Sequence, residues 1–210
     1  MLSVPFFANP DDTHCYQAVI RMILKRFLPD RDFTWADLDR VTGKQEGRWT
    51  WPLHSMLQLK DMGFEIINME YFDYHRFARE GSRYLLEMYG EEVGTAQIQH
   101  SNIPYEMKNA ELFMRRFRFR PSVPDLNDLR ELLRDGYLLV CNVNICALNG
   151  EDGYSGHFVL VYGVDESGIV FHDPGPPPGK SRKVPRDLFA GAWAYPTETE
   201  KNLMAFRYPG

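Results

Sequence analysis

Three short stretches of this 210-residue chain carry side chains that could do chemistry together. The first is Cys15, which opens a segment with apolar residues at 15, 18, 19, 22, 23 and 27, a helical spacing. A cysteine at a helix start meets unpaired N–H groups and the positive end of the helix dipole. Both favour the thiolate and lower its pKa. Taken alone, such a cysteine reads more readily as a small buried apolar residue. The second stretch is Ser155-Gly156-His157, leading into an apolar run over 158–164 where an imidazole is polar for its surroundings. The third is Phe171-His172-Asp173-Pro174-Gly175, which by itself is turn chemistry. Together they supply a nucleophile, a base and an acid able to orient the base, the set that acyl transfer needs.

For these groups to meet, a helix must carry Cys15 and a hairpin must carry His157 and Asp173. Asp11, Asp12 and Thr13 are capping candidates that start the helix near residue 13 or 14 and run it to 28. Short helices are expected over 34–41, capped by Thr34, and over 52–62, ended by Gly63. A strand fits 64–71, and helical patterns recur over 74–89 and 104–117. Residues 125–136 form an amphipathic helix with an aspartate cap and a glycine stop. The runs 137–145, 157–164, 168–173 and 203–208 are rich in β-branched and aromatic residues and read as adjacent antiparallel strands. A hairpin turning around Asp165 and Glu166 would set His157 and Asp173 nearly opposite one another, within about two residues of register. Helices first and a small sheet after predict an α+β fold. No linker divides the chain, so residues 1–210 read as one domain, with Gly175-Pro176-Pro177-Pro178-Gly179 a stiff surface loop.

The same residues resemble a known family. Val4-Pro5-Phe6-Phe7, Cys15-Tyr16-Gln17-Ala18, the stretch 129–136, Gly156-His157-Phe158 and His172-Asp173-Pro174-Gly175 follow one another as in papain-like cysteine peptidases of the C39-like family. The match covers residues 4–30 and 125–195 and is loose over 45–120. The resemblance implies a papain-like fold, with a helical N-terminal part carrying the nucleophile and a C-terminal antiparallel sheet. It implies a triad of Cys15, His157 and Asp173 that attacks a peptide or amide carbonyl without a cofactor. The family places a glutamine amide six residues before the cysteine as an oxyanion donor; here that position is Asn9, one methylene shorter. The N–H of Cys15 would be the second donor. Tyr16-Gln17 follows the cysteine where Gly-Pro is commoner. Asn9-Pro10 also reads as a turn initiator whose side chain bonds its own backbone.

Trp51, within Trp49-Thr50-Trp51-Pro52, and Gly156 are candidate substrate contacts, core packing being the competing reading of the tryptophan. Peptide, isopeptide and side-chain amide cleavage and transamidation all run on such machinery. A catalytically inactive papain-like module that binds peptides is the alternative from a different class.

Composition narrows the partners. A net charge of −5 gives no broad positive field for nucleic acid, and the Arg115–Arg120 stretch reads as a solvated charged face. With 44% hydrophobic residues the chain is not disordered, yet no apolar run approaches the roughly 20 residues a bilayer demands. Residues 1–8 lack the charged lead of a signal peptide. Three cysteines, an odd count, fit a reducing compartment, so the expected location is cytoplasmic. C39 peptidases that trim exported peptides are typically fused to a transporter, so a stand-alone soluble role is expected here. Cys15, His14, His157, His172 and Asp173 show no paired C-x-x-C or H-E-x-x-H spacing, and no metal is expected. Cys141 and Cys146, too poorly placed for a disulfide, read as core filler. The partner that remains is a peptide or protein substrate.

Overall fold

The computed structural model describes residues 3–209. The chain begins with helices α1 (Cys15–Phe27), α2 (Trp35–Thr42) and α3 (Pro52–Asp61). Strand β1 (Glu65–Glu70) follows, then α4 (Tyr74–Glu80), α5 (Ser82–His100), α6 (Ile103–Arg116) and α7 (Leu126–Arg134). The rest alternates: β2 (Leu138–Asn144), α8 (Ile145–Asn149), β3 (Gly156–Asp165), β4 (Gly168–Asp173), β5 (Gly179–Val184), α9 (Arg186–Trp193) and β6 (Asn202–Arg207). Local chemistry accounts for several boundaries. Thr34 and Asp37 form a reciprocal capping box at α2, and Asp125 and Asp128 form another at α7.

Four departures from the sequence pattern have clear causes. The pattern over 74–89 is two helices, because Gly81 (φ 52°) breaks the chain there, and α5 then runs on to His100 through a kink at Gly90 (φ 75°). Strand β5, Gly-Lys-Ser-Arg-Lys-Val, has no apolar alternation to betray it, since it lies at a sheet edge and is mostly exposed. The short α8 hides behind the apolar run of β2, and α9 is interrupted in composition by Gly191. The start of α1 also differs. His14 is its N-cap and makes no side-chain cap bond; Asp11 instead closes a turn of its own, taking the Thr13 N–H at 2.6 Å.

The six strands form one antiparallel sheet in the order β1-β6-β2-β3-β4-β5. Alternation in the central strands feeds two cores. Leu138, Val140, Phe158, Leu160, Met204 and Phe206 face α1 and the other N-terminal helices. Leu139, Cys141, Val159, Val161, Leu203 and Ala205 face the opposite side, closed by Phe189 and Trp193 of α9. Helix α1 lies against β3, which puts Cys15 beside the beginning of that strand. Among the described residues, no helix is long and apolar enough to cross a membrane.

Candidate active site

Cys15 is half-buried at the first turn of α1, where its own N–H has no acceptor within the helix. Burial alone would raise the thiol pKa. It is outweighed by a hydrogen bond and charge from His157 and by the backbone N–H groups of Phe158 and Tyr16, so the pKa falls below its ordinary value. This is the microenvironment of a nucleophilic thiolate.

His157 is the second residue of β3 and only 8% exposed. Its Nε2 donates to Asp173 Oδ1 at 2.8 Å, and the ring lines the same cleft as the Cys15 thiol, close enough for each to act on the other's titration. Burial would lower the imidazole pKa, but the bonds to Asp173 and Cys15 prevail and hold it at about 9. Thiolate and imidazolium therefore stabilise one another at neutral pH.

Asp173 ends β4 and is fully buried. Burial pushes its pKa up, and the bonds it accepts from His157, the Gly175 N–H (2.9 Å) and Arg182 more than reverse that. Leu160 faces His172, so Asp173 falls opposite Val159, two residues from His157 and diagonal to it, within the expected two-residue tolerance. The bulge between Val161 and Gly163 shifts the register by one and puts both side chains on the same face. Arg182 was not readable from sequence, because its strand β5, Gly-Lys-Ser-Arg-Lys-Val, has no apolar alternation.

Asn9 lies between the Cys15 turn and the 173–176 loop. Its N–H donates to Pro174 O (2.9 Å) and its Nδ2 to Gly175 O (2.8 Å). Its Oδ1 accepts from the N–H groups of Asp11 and His14, both at 3.2 Å. The side chain thus forms the turn anticipated for Asn-Pro, and one Nδ2 hydrogen remains for a ligand. The proline-rich loop is accordingly more than a stiff connection, since Gly175 is buried and bonds both Asn9 and Asp173.

A cleft of about 320 Å³ opens from Cys15 and His157. Trp51 and Gly156 both line it. Trp51 serves the core as well, stacking on Phe77 at 5.2 Å and donating from Nε1 to Ser101 Oγ at 2.9 Å. At Gly156 a Cβ would come within 2.9 Å of the Tyr154 hydroxyl, so a side chain there would have to displace that ring. His172 stands apart from the site chemistry. Its Nε2 donates to Val4 O and its Nδ1 accepts the Ser181 N–H, and burial lowers its pKa, so it is a neutral structural histidine.

With this geometry, a solved structure offers a direct comparison. The peptidase domain of Streptococcus ComA, a bi-functional ABC transporter involved in a quorum sensing pathway, aligns over 96% of both chains with a TM-score of 0.52 and 14% identity. The fold is that of a papain-like C39 peptidase domain. No protein-family model matches the sequence, and no curated protein does either. The likeness therefore lies in the backbone fold.

Proposed function

We propose that this protein is a cysteine hydrolase that cleaves a peptide or amide bond through Cys15, His157 and Asp173. The observation that carries the reading is the position of His157, whose Nε2 bonds Asp173 while the ring lines the same cleft as Cys15 and each of the two groups shifts the other toward its charged form. In this reading the Cys15 thiolate attacks the carbonyl carbon, forming a C–S bond as the carbonyl π pair moves onto oxygen. The Cys15 N–H and the remaining Nδ2 hydrogen of Asn9 stabilise that oxyanion. The imidazolium of His157 then protonates the departing amine, and the tetrahedral intermediate collapses to a thioester. Water, deprotonated by the now neutral His157, attacks the thioester; the acid is released and the thiolate–imidazolium pair is restored. Asp173 holds the ring in place and stabilises its charged form. No step needs a cofactor.

The substrate class follows from an open cleft with aromatic and polar walls, which suits a peptide or protein segment. Three free thiols are compatible with a reducing, cytoplasmic setting, and residues 1–210 would act as one unit. The test is a peptide library incubated with the wild type and with Cys15→Ala, read by mass spectrometry. New termini produced only by the wild type support hydrolysis of peptide bonds. A gain of about one mass unit at glutamine or asparagine, from amide to acid, would shift the reading to side-chain deamidation by the same groups. Peptides retained by both proteins without cleavage would identify a binding module instead.

A further inference from the structure

The cleft does not end at the nucleophile. It continues across the sheet along a row of side chains, three of them polar, that the hydrolytic chemistry does not use. Phe158 on β3 pairs with Asn142 on β2, Asn142 bonds Asn202 on β6, and Asn202 pairs with Glu70 on β1. All four residues line the cleft. Three strand spacings separate Glu70 from β3, roughly 14 Å. Above the row lie the rings of Trp51, Phe72, Tyr74 and Tyr89.

At the far end, Glu70 Oε1 accepts from Asn68 Nδ2 (2.7 Å) and the Tyr74 hydroxyl, while Oε2 accepts no bond. A second carboxylate stands close by. Glu200 acts electrostatically on Glu70's surroundings, and its Oε2 is buried with no partner at all. Burial raises the pKa of both acids, that of Glu200 to about 7, and no cation is among the causes acting on either. Of the two, Glu70 lines the cleft beside the rings, and its Oε2 is an acceptor with no donor among the described residues.

We propose that this inner arm is a specificity pocket for a basic side chain, lysine or arginine, of the peptide that Cys15 attacks, and that Glu70 is the residue that selects it. The inference rests on the hydrolase reading of Cys15 and adds to it the substrate class. The chemistry is complementary along the slot. An alkyl stem packs between Trp51, Phe72 and Tyr89, its cationic end gains attraction from the ring faces, and the unbonded Oε2 of Glu70 accepts its N–H. A purely apolar side chain would fill the rings and leave Glu70 Oε2 without a donor.

The test compares short peptides that differ only in lysine against norleucine, which has nearly the same stem without the charge. Three such pairs, with the variable residue first, second or third from the reactive end, are made as chloromethyl ketones and as amides. Labelling of Cys15 by the ketones should be about tenfold faster for lysine in at least one pair. The amides, titrated against Cys15→Ala, should show the same preference in Kd without any reaction. In Glu70→Gln the lysine-to-norleucine ratio should fall to about one; if that variant does not fold, the wild-type ketones and the Cys15→Ala titration still decide. Ratios near one in all three pairs would overturn the pocket, and so would a preference that survives Glu70→Gln. Iodoacetamide labelling of Cys15 reports separately on the thiolate. Slow labelling by it, alongside a clear lysine preference in the titration, would remove the hydrolase reading and leave the pocket standing.

Discussion

The imidazole of His157 commits Nε2 to Asp173 Oδ1 at 2.8 Å and turns its other side to the thiol of Cys15. One ring thus joins the end of β4 to the start of α1, and each partner holds the ring in its charged form against the cost of burial.

The first consequence is selective reactivity. Cys15 should alkylate with iodoacetamide at pH 7 faster than Cys146, and far faster than Cys141, whose burial pushes its thiol pKa up. His157→Ala should slow labelling of Cys15 by roughly tenfold or more, as the thiol returns toward its free value. Peptide mapping by mass spectrometry reads all three sites in one sample. Unchanged labelling in the variant would mean that His157 does not sustain the thiolate.

The pH profile is the second. Because the folded imidazole titrates at about 9, turnover or labelling that requires the imidazolium should fall as pH rises through that value. The acid limb should lie below the ordinary thiol range, since the Cys15 pKa is lowered. Stability follows the same sign. The raised His157 contributes stability that is complete below its ordinary 6.5 and lost as pH climbs through about 9. Melting temperatures of wild type and His157→Ala should therefore converge above pH 9. A gap that widens there would contradict the pairing.

How far the sequence reaches is visible in particular residues. Cys15, His157 and Asp173 stand out because each is chemically odd for its place: a thiol at a helix start, an imidazole opening an apolar strand, an acid closing one. The elements that carry them announce themselves through apolar spacing and caps, as Thr34 and Asp125 do at α2 and α7. Arg182 does not, because an exposed edge strand has no hydrophobic period to read. The row from Glu70 to Asn142 is hidden for another reason. Its members lie on three strands far apart in sequence, and only the crossed order β1-β6-β2 makes them neighbours. The bulge between Val161 and Gly163, which brings Asp173 onto the face of His157, is signalled by no local pattern.

Away from the cleft, Glu106 gives a stability prediction with a definite sign. It sits 5% exposed in the first turn of α6, and burial raises its pKa to about 7 despite a bond from Asn109. A raised carboxyl contributes stability that is full below its ordinary 4.5 and is lost as pH rises through about 7. The cost of charging it is on the order of 3 kcal/mol. Glu106→Gln should thus raise the melting temperature by roughly 6–12 °C at pH 8 and change it little at pH 4.5. Calorimetry at the two pH values decides, and a variant less stable at pH 8 would show that the charged form is well accommodated.

Asn9 separates a strap from an oxyanion donor. Three of its side-chain bonds are structural: Nδ2 to Gly175 O, and Oδ1 from Asp11 and His14. Asn9→Ala removes them all from a half-buried site, which should cost about 1–3 kcal/mol and lower the melting temperature by several degrees. If the second Nδ2 hydrogen also serves the oxyanion, turnover per folded molecule should drop by roughly 10²–10³ as well. Asn9→Asp sharpens the distinction. It retains the oxygen that accepts from Asp11 and His14, yet removes the amide donor and adds a charge that repels an oxyanion. That variant should therefore keep more of its stability than the alanine while losing at least as much turnover. Asn9→Gln lengthens the reach by one methylene, so it should loosen the Asp11 and His14 bonds and alter turnover measurably. Melting temperature and initial rate, measured on the same three preparations, give the answer. Variants that melt early but turn over at the wild-type rate per folded molecule would leave Asn9 as a strap between the α1 turn and the 173–176 loop, with the Cys15 N–H as the donor to the oxyanion.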